Sequence, residues 1–231
     1  MDTKVLSLGG SIIVPDDVDY VFLGKFRDAI ESYLEKDGER RLIIVTGGGA
    51  TARKYQDAAK KANKDIRNDE LDWMGIRATH LNASLVKGIF GELAPDPIVT
   101  DMDGEIEFSG RILIAGGWKP GFSTDTDSVY LARRFGAKVI MNLSNIRKVY
   151  TADPKVDKNA TPIDSISWED FQKMVGSEWI PGKNTPFDPI ASKLAKESGM
   201  TVYCLGGRDI GNTVAALEGK DFEGTTISSS L

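Results

Sequence analysis

Short apolar segments recur along the chain, and four of them run directly into glycines. These segments occupy residues 5–8, 42–45, 112–115 and 202–205, and they contain few polar side chains. Apolar runs of this length are typical of strands that are buried on both faces of a parallel sheet. The pattern therefore predicts four such strands, each followed by a glycine-rich turn.

The segments between the strands have the spacing of amphipathic helices. From Asp69 to about Phe90, five apolar residues are expected to face inward, namely Leu71, Met74, Leu81, Leu85 and Ile89. We predict further helices at residues 16–38, 51–63, 167–175, 188–198 and 211–218, and one that ends near residue 135. Additional strands are expected at residues 98–100, 138–143 and 224–227, the last at a sheet edge, whereas residues 145–162 form a polar, turn-rich connection. Alternating strands and helices predict an α/β fold with a mainly parallel sheet covered on both sides.

Composition restricts the class of protein. With 231 residues, 41% of them hydrophobic, the chain can bury a substantial core, and we expect one domain over 1–231. A net charge of -5 argues against a protein that coats nucleic acid. No apolar stretch approaches the roughly 20 residues that span a membrane, and the first strand leaves no room for a leader, so a cytoplasmic protein without a membrane partner is expected. Cys204 is the only cysteine, which excludes an internal disulfide.

The glycine-rich turns predict an anion-binding site. The second strand passes into Gly47-Gly48-Gly49 and then into a helix that carries Arg53 and Lys54. Glycines let the backbone approach a ligand closely, and the helix N-terminus offers free N–H groups and partial positive charge to a phosphate. Because parallel strands end at one edge of a sheet, the four turns are expected to line one site. They do not match the standard phosphate-loop patterns, and a tight turn without a ligand remains the alternative for any single one.

An ordered set of motifs extends over essentially the whole chain. The motifs are Leu-Gly-Gly-Ser ending at Ser11, Thr-Gly-Gly-Gly ending at Gly49, Ala-Arg-Lys-Tyr ending at Tyr55, Asp-Trp-Met-Gly-Ile from Asp72, Asn82-Ala83, Gly-Gly-x-x-Pro-Gly from Gly116, Ser-Thr-Asp-Thr ending at Thr126, Val-Tyr-Thr-Ala-Asp-Pro ending at Pro154, Asp188-Pro189 and Gly-Thr-Thr-Ile ending at Ile227. Together they resemble the amino acid kinase superfamily, and within it the uridylate (UMP) kinases of the archaeal type.

This resemblance implies a fold, a reaction and an assembly. The fold is a three-layer α/β/α sandwich with a mainly parallel central sheet, with an acceptor-binding half at about 1–135 and an ATP-binding half at about 136–231. The reaction is transfer of the γ-phosphoryl group of ATP, with Mg²⁺ as cofactor, to UMP in pyrimidine nucleotide synthesis. The assembly is a homo-oligomer, usually a hexamer.

The resemblance also assigns roles to individual residues. For UMP these are Gly48, Gly49, Arg53 on the phosphate, Asp72 on the ribose hydroxyls and Thr124 at the uracil end. For ATP they are Gly9, Gly10, Ser11, Asn145, Tyr150, Asp153 and Pro154. The catalytic set is Asp125, Arg53, Asp188 and Lys183, with no metal ligand assigned with certainty. A guanidinium fork matches a phosphate, and phosphoryl transfer depends mostly on positioning and neutralisation of charge. From the residues alone, helix N-capping is the favoured explanation for the hydroxyls and carboxylates at 123–127.

Two departures from the family pattern stand out. Many members have a lysine two residues before the first glycine pair, where this chain has Ser7. Lys4 is a poor substitute because strand alternation points it to the opposite face, so Lys119 and Lys183 become the candidate cations. Arg147 and Lys148 replace the usual Asp-Gly in the expected ATP segment, and they either strengthen or distort donor binding.

Two alternatives to a UMP kinase remain at this stage. One is a family enzyme with another phosphate acceptor, such as isopentenyl phosphate, although those enzymes use a histidine after the second strand and this stretch contains Arg53 instead. The only histidine, His80, lies in the middle of a predicted helix and reads as a packed or surface residue. The other alternative is a catalytically weak nucleotide-binding or anion-storage relative, which the changes at Ser7 and Arg147-Lys148 keep open.

Overall fold

A seven-stranded sheet runs through the chain, with helices on both of its faces. The structure is a computed structural model, which describes residues 1–154, 156–176 and 185–229. The strands are β1 (Asp2–Leu8), β2 (Arg40–Thr46), β3 (Ile112–Ala115), β4 (Val139–Ser144), β5 (Val149–Tyr150), β6 (Pro162–Ile163), β7 (Ser165–Ser167), β8 (Thr201–Gly206) and β9 (Thr225–Ser228). The helices are α1 (Gly10–Ile13), α2 (Tyr20–Glu35), α3 (Gly49–Ala62), α4 (Asn68–Phe90), α5 (Thr124–Arg134), α6 (Trp168–Val175), α7 (Pro189–Glu197) and α8 (Ile210–Leu217), with a 3₁₀ turn at Gly91–Leu93.

The strand order places the expected parallel strands side by side. The order is β3-β2-β1-β4-β8-β9-β7, and the first five strands are parallel to one another. Their side chains alternate between two apolar cores. Leu6 and Leu8 of β1 face the core under α2, α4 and α8, whereas Val5 faces the core under α5, α6 and α7. The predicted α/β fold, with a mainly parallel sheet between two helical layers, is therefore confirmed.

Side-chain caps explain where several helices begin. Asp19, Ser123, Ser167, Asp188 and Asp209 each accept a hydrogen bond from a backbone N–H of the helix that follows. Such caps satisfy amide groups that have no partner within the helix. At residues 123–127 the cap is Ser123, which leaves Thr124 and Asp125 available for other contacts.

Three expectations about individual segments were wrong. Strand β9 does not lie at an edge, because it runs antiparallel to β8 and pairs with β7 on its other side. The segment at 98–100 makes only a single bridge, between Val99 and Ala115. Leu81 is not inward but 63% exposed. By contrast, the connection at 145–162 is turn-rich as expected, and its only addition among the described residues is the short antiparallel pair of β5 with β6. In the described part of the chain, no helix is both long and apolar enough to cross a membrane.

Candidate active site

The parallel strands bring the glycine-rich turns to one edge of the sheet, as expected. Strands β1, β2, β3, β4 and β8 all end at this edge, and glycine pairs follow or close β1, β2, β3 and β8. Backbone bonds tie neighbouring turns together: Gly9 donates its N–H to the carbonyl of Leu143 at 2.9 Å, and Gly207 donates to Ser144 at 2.8 Å. The main-chain groups of neighbouring turns are therefore held together along this edge of the sheet.

The turns after β1 and β2 pack backbone against backbone. A Cβ atom added to Gly10 would lie 2.0 Å from the nitrogen of Gly49 and 2.6 Å from the nitrogen of Gly48. Gly49 begins α3 with a φ of 63°, a left-handed conformation that side chains disfavour. Close approach therefore requires glycine at both turns, and the N-termini of α1 and α3 meet there.

Asp125 lies at the centre of this edge, held by groups from two distant parts of the chain. Ser7 Oγ donates to Asp125 Oδ1 at 3.2 Å, and the backbone N–H of Asp188 donates to Asp125 Oδ2 at 3.2 Å. Asp188 caps α7, because its Oδ1 accepts from the N–H groups of Ile190 at 2.7 Å and Ala191 at 2.9 Å. The structure thus brings together Ser7, Asp125 and Asp188, which are far apart in sequence.

The surroundings of Asp125 disfavour its ionised form. Desolvation by the enclosing chain, reinforced by the charge of Asp188, raises the pKa of Asp125 to about 7, although hydrogen bonds from Asp188 and Ser7 oppose this rise. Asp125 nevertheless remains partly exposed to solvent. Among the described residues no cluster of three or more His, Cys, Asp or Glu could hold a metal ion by itself. Two carboxylates without a third match Mg²⁺, which is usually held by one or two carboxylates together with substrate phosphates and waters.

Arg53 and Asp72 lie on two helices that pack against each other. Arg53 is exposed in α3, and its Nη2 lies 3.3 Å from the carbonyl of Pro15. Asp72 is half-buried in α4, next to Leu71, whose carbonyl accepts from Gln56 Nε2 at 2.8 Å. Because Gln56 is one turn beyond Arg53, this hydrogen bond shows that the two helices pack together near these two residues.

The residues predicted to contact ATP follow the end of β4. Asn145 comes directly after that strand, and Tyr150 lies in β5. Asp153 and Pro154 are exposed just beyond it. Of the two unusual cations, Lys148 pairs with Asp164, whereas Arg147 is exposed and packs its Cα close to Gly206.

The cation that replaces the lysine at Ser7 is not found among Lys4 and Lys119. Lys4 Nζ pairs with Asp2 and lies 3.5 Å from the hydroxyl of Tyr33, on the opposite face from Ser7 as expected. Lys119 Nζ lies 3.4 Å above the ring of Trp118. Lys183 lies outside the described residues. The structure therefore assigns no lysine to Asp125 within the part of the chain that it describes.

Two buried polar residues that support the second-strand turn were not singled out as site residues from the sequence. Asn82 of α4 donates its amide to the carbonyls of Gly47 at 2.7 Å and Gly48 at 3.3 Å. Thr46 Oγ1 lies within hydrogen-bond distance of the carbonyls of Thr79 and Ala115, at 3.0 and 3.2 Å. The only signal for Asn82 was its place in the motif Asn82-Ala83, which said nothing about its partner.

The chain is similar to kinases in sequence and in structure. The profile of the Amino acid kinase family matches residues 2–206. The uridylate kinase of Methanospirillum hungatei is 34% identical over 232 residues, which cover 99% of this chain and 95% of that protein. The uridylate kinase of Pyrococcus abyssi is 34% identical over 229 residues, covering 96% and 98%. The crystal structure of uridylate kinase from Archaeoglobus fulgidus superimposes with a TM-score of 0.82 at 32% identity, covering 99% and 100% of the two chains.

Proposed function

The chain belongs to the amino acid kinase family, and from this premise we propose that it is a UMP kinase, which transfers the γ-phosphoryl group of Mg-ATP to UMP. The observation that carries the proposal is the backbone-to-backbone packing of Gly10 against Gly48 and Gly49 at the edge where Asp125 lies. Two helix N-termini converge there, so two phosphate-bearing ligands can meet end to end. The uridylate kinases that resemble this chain over nearly its full length support the same acceptor.

The proposed division of labour follows the two halves of the chain. The half at about 1–135 binds UMP, with Gly48, Gly49 and Arg53 on the phosphate, Asp72 on the ribose and Thr124 near the uracil. The half at about 136–231 binds ATP through Asn145, Tyr150, Asp153 and Pro154, and Gly9, Gly10 and Ser11 lie at the junction between the two nucleotides. A guanidinium and backbone N–H groups are suitable ligands for phosphate oxygens.

The reaction places modest demands on proton transfer. The attacking atom is a phosphate oxygen of UMP, which is largely ionised at neutral pH, so the site needs no strong general base. What remains is to hold both phosphates in line and to offset their charge. In our proposal the backbone amides of the glycine turns and the guanidinium of Arg53 hold the phosphates and offset their charge. Asp125 helps to orient the reacting phosphates.

Magnesium is proposed as the cofactor that enters with ATP. Asp125, with Asp188 beside it, would hold the ion, which supplies charge neutralisation on the phosphates when it is bound. The proximity of a divalent cation would also favour the ionised form of Asp125, whose pKa is otherwise raised to about 7.

Purified protein should release ADP from Mg-ATP only when UMP is present. The assay runs UMP, CMP, AMP, isopentenyl phosphate and no acceptor in parallel. We expect the rate with UMP to exceed the others at least roughly tenfold, because a site built for one base and a ribose leaves polar groups unpaired with other acceptors. Equal rates without any acceptor, or a preference for isopentenyl phosphate, would refute the proposal. Stabilisation by ATP without turnover would indicate a binding protein.

A homo-oligomer is also proposed, with a second copy seated on the outer face of α3 and α4. Tyr55, Trp73 and Leu81 are 68%, 39% and 63% exposed there, around a groove of about 350 Å³. Apolar residues grouped in this way mark interaction surfaces. Glu70 and Arg77 line the same groove, so the surface carries both charges and can pair with itself across a two-fold axis. The resemblance implies a hexamer as the final size.

Leu81→Asp should shift the protein to a smaller assembly. The carboxylate would be buried against apolar side chains in the interface, which is costly without a partner. Light scattering after size-exclusion chromatography gives the mass directly. Tyr20→Asp is the matched control, because Tyr20 is 79% exposed on α2, away from this groove. If wild type and Leu81→Asp have the same mass, this surface is not the interface.

A further inference from the structure

Three side chains from two helices hold two successive peptides in the turn after β3. Gly117 donates its N–H to Thr79 Oγ1 at 2.6 Å, and its carbonyl oxygen lies 2.7 Å from His80 Nε2. Trp118 donates its N–H to Asp127 Oδ2 at 3.2 Å. Because a carbonyl oxygen can only accept, the imidazole of His80 must carry its proton on Nε2. The path of this turn is thus set by α4 and α5.

The close packing of α4 against this turn leaves little room for a side chain at Gly116 or Gly117. A Cβ atom on Gly116 would lie 2.6 Å from Cδ2 of His80 and 3.2 Å from Thr79 Oγ1. One on Gly117 would also lie 3.2 Å from Thr79 Oγ1. The imidazole of His80 is therefore in direct contact with the backbone of the turn, and the sequence-based reading of this pair as a ligand-binding element misses that role.

The same helix connects this turn with the acceptor side of the proposed active site. Asp72 lies in α4 two turns before Thr79, and Asn82 of α4 holds the carbonyls of Gly47 and Gly48. The turn itself leads within a few residues to Thr124 and Asp125 at the start of α5. A shift of the turn relative to α4 would therefore displace the segment that leads to Thr124.

Three aromatic side chains pack together on the solvent side of this turn. The ring of Trp118 lies 4.9 Å from that of Phe122 and 5.7 Å from that of Tyr130, centre to centre. Lys119 Nζ is 3.4 Å above the ring of Trp118. These side chains are half-buried, so the peptide that His80 fixes also orients the groups that the turn presents to solvent.

We propose that His80 is a positioning residue for the acceptor nucleotide. Through the Gly117 carbonyl it fixes the turn at residues 116–122 and thereby the approach to Thr124. It does not contact the reacting atoms. This inference rests on the proposed function, because it names the nucleotide monophosphate as the ligand whose binding depends on the turn.

Steady-state kinetics of two substitutions test this role. His80→Leu removes the donor to Gly117, and we expect the KM for UMP to rise roughly fivefold to tenfold, the effect of losing one partly buried hydrogen bond. The KM for ATP should stay within about twofold, since the hydrogen bonds described for this turn involve none of the residues assigned to ATP. His80→Gln retains an amide donor and should restore the KM for UMP to within about threefold of wild type. Ser84→Ala, one turn along α4, is the control, because its hydroxyl donates to the backbone carbonyl of His80 within the helix and its removal leaves the imidazole unchanged.

Each outcome bears on the proposal. If His80→Leu leaves the KM for UMP within about twofold, or raises both KM values together, the role is structural only and the inference is overturned. Failure of His80→Gln to restore the KM for UMP would also overturn it. If the wild type shows no UMP-dependent turnover, the proposed function fails separately. The dissociation constants of UMP for the same variants, measured by calorimetry, then decide the inference by the same fold-changes.

Discussion

Asp125→Asn should lower kcat for UMP-dependent ADP release by roughly 100-fold to 1,000-fold, the usual effect of removing a central electrostatic group. The substitution removes the charge at the position where Ser7 and the backbone of Asp188 hold the carboxylate. An asparagine can keep both contacts, because its carbonyl oxygen accepts from the Asp188 N–H and its amide donates to Ser7 Oγ. The loss of kcat would therefore report the missing charge and not a collapsed site.

The same substitution should stabilise the protein in the absence of ligands. The pKa of Asp125 is raised to about 7 by desolvation and by Asp188, so the folded protein keeps a proton that the unfolded chain loses from about pH 4 upward. Because the unfolded state then binds fewer protons, the free energy of unfolding falls as the pH rises from about 4 to about 7. Asparagine removes this loss, and we expect a gain of roughly 2 kcal/mol at about pH 8, after discounting for the partly open side chain.

Asp127→Asn is the matched control for charge removal on α5. Asp127 is fully buried, desolvation raises its pKa to about 7, and its Oδ1 has no hydrogen-bond partner among the described residues. An asparagine there can still accept from the Trp118 N–H. It should give a similar stability gain near pH 8 with a far smaller loss of kcat. Denaturant titrations at several pH values, together with kcat, separate the two effects. Equal losses of kcat in both variants would contradict the central role of Asp125.

Gly10→Ala should disrupt both phosphate-facing turns. The new Cβ atom would meet the backbone nitrogens of Gly48 and Gly49, and backbone atoms at 2.0 and 2.6 Å cannot rotate away as a side chain does. The turns must separate, at a cost of about 3 kcal/mol or more, typical of severe overpacking. We expect a lower midpoint in thermal denaturation and loss of UMP-dependent ADP release, since the helix N-termini would no longer converge.

A second glycine-to-alanine change shows whether this effect depends on position. Gly24 lies within α2, and a Cβ atom there has nothing within 4 Å. Gly24→Ala should be neutral or stabilising by up to about 1 kcal/mol, because alanine favours a helix more than glycine does. A Gly10→Ala variant with the stability and kcat of the wild type would show that the two turns do not need this contact.

The pattern of apolar and polar residues along the chain was sufficient to place most of the strands and helices. Mostly apolar runs placed β1, β2, β3 and β8, and helical spacing placed α4 and α6 close to their observed bounds, with Ser167 capping α6 as expected. The predicted helix at 16–38 is shorter, because its cap is Asp19 and it ends at Glu35. Parallel strands necessarily end at one edge, so the glycine turns could be assigned to one site from the sequence. These features follow from the period of side-chain burial and from which groups satisfy helix ends, both of which are properties of neighbouring residues.

Tertiary structure decided the features that depend on distant partners. Ser7 and Asp125 meet across 118 positions, and Asp125 and Asp188 across 63, so neither their contact nor the raised pKa of Asp125 could be read from local pattern. The antiparallel insertion of β9 between β8 and β7 depends on the path of the connection and not on the composition of the strand. The role of His80 likewise appears only when α4 packs on Gly116 and Gly117. Hydrogen-bond partners and desolvation are set by which segments pack together, and the local pattern of residues does not specify that.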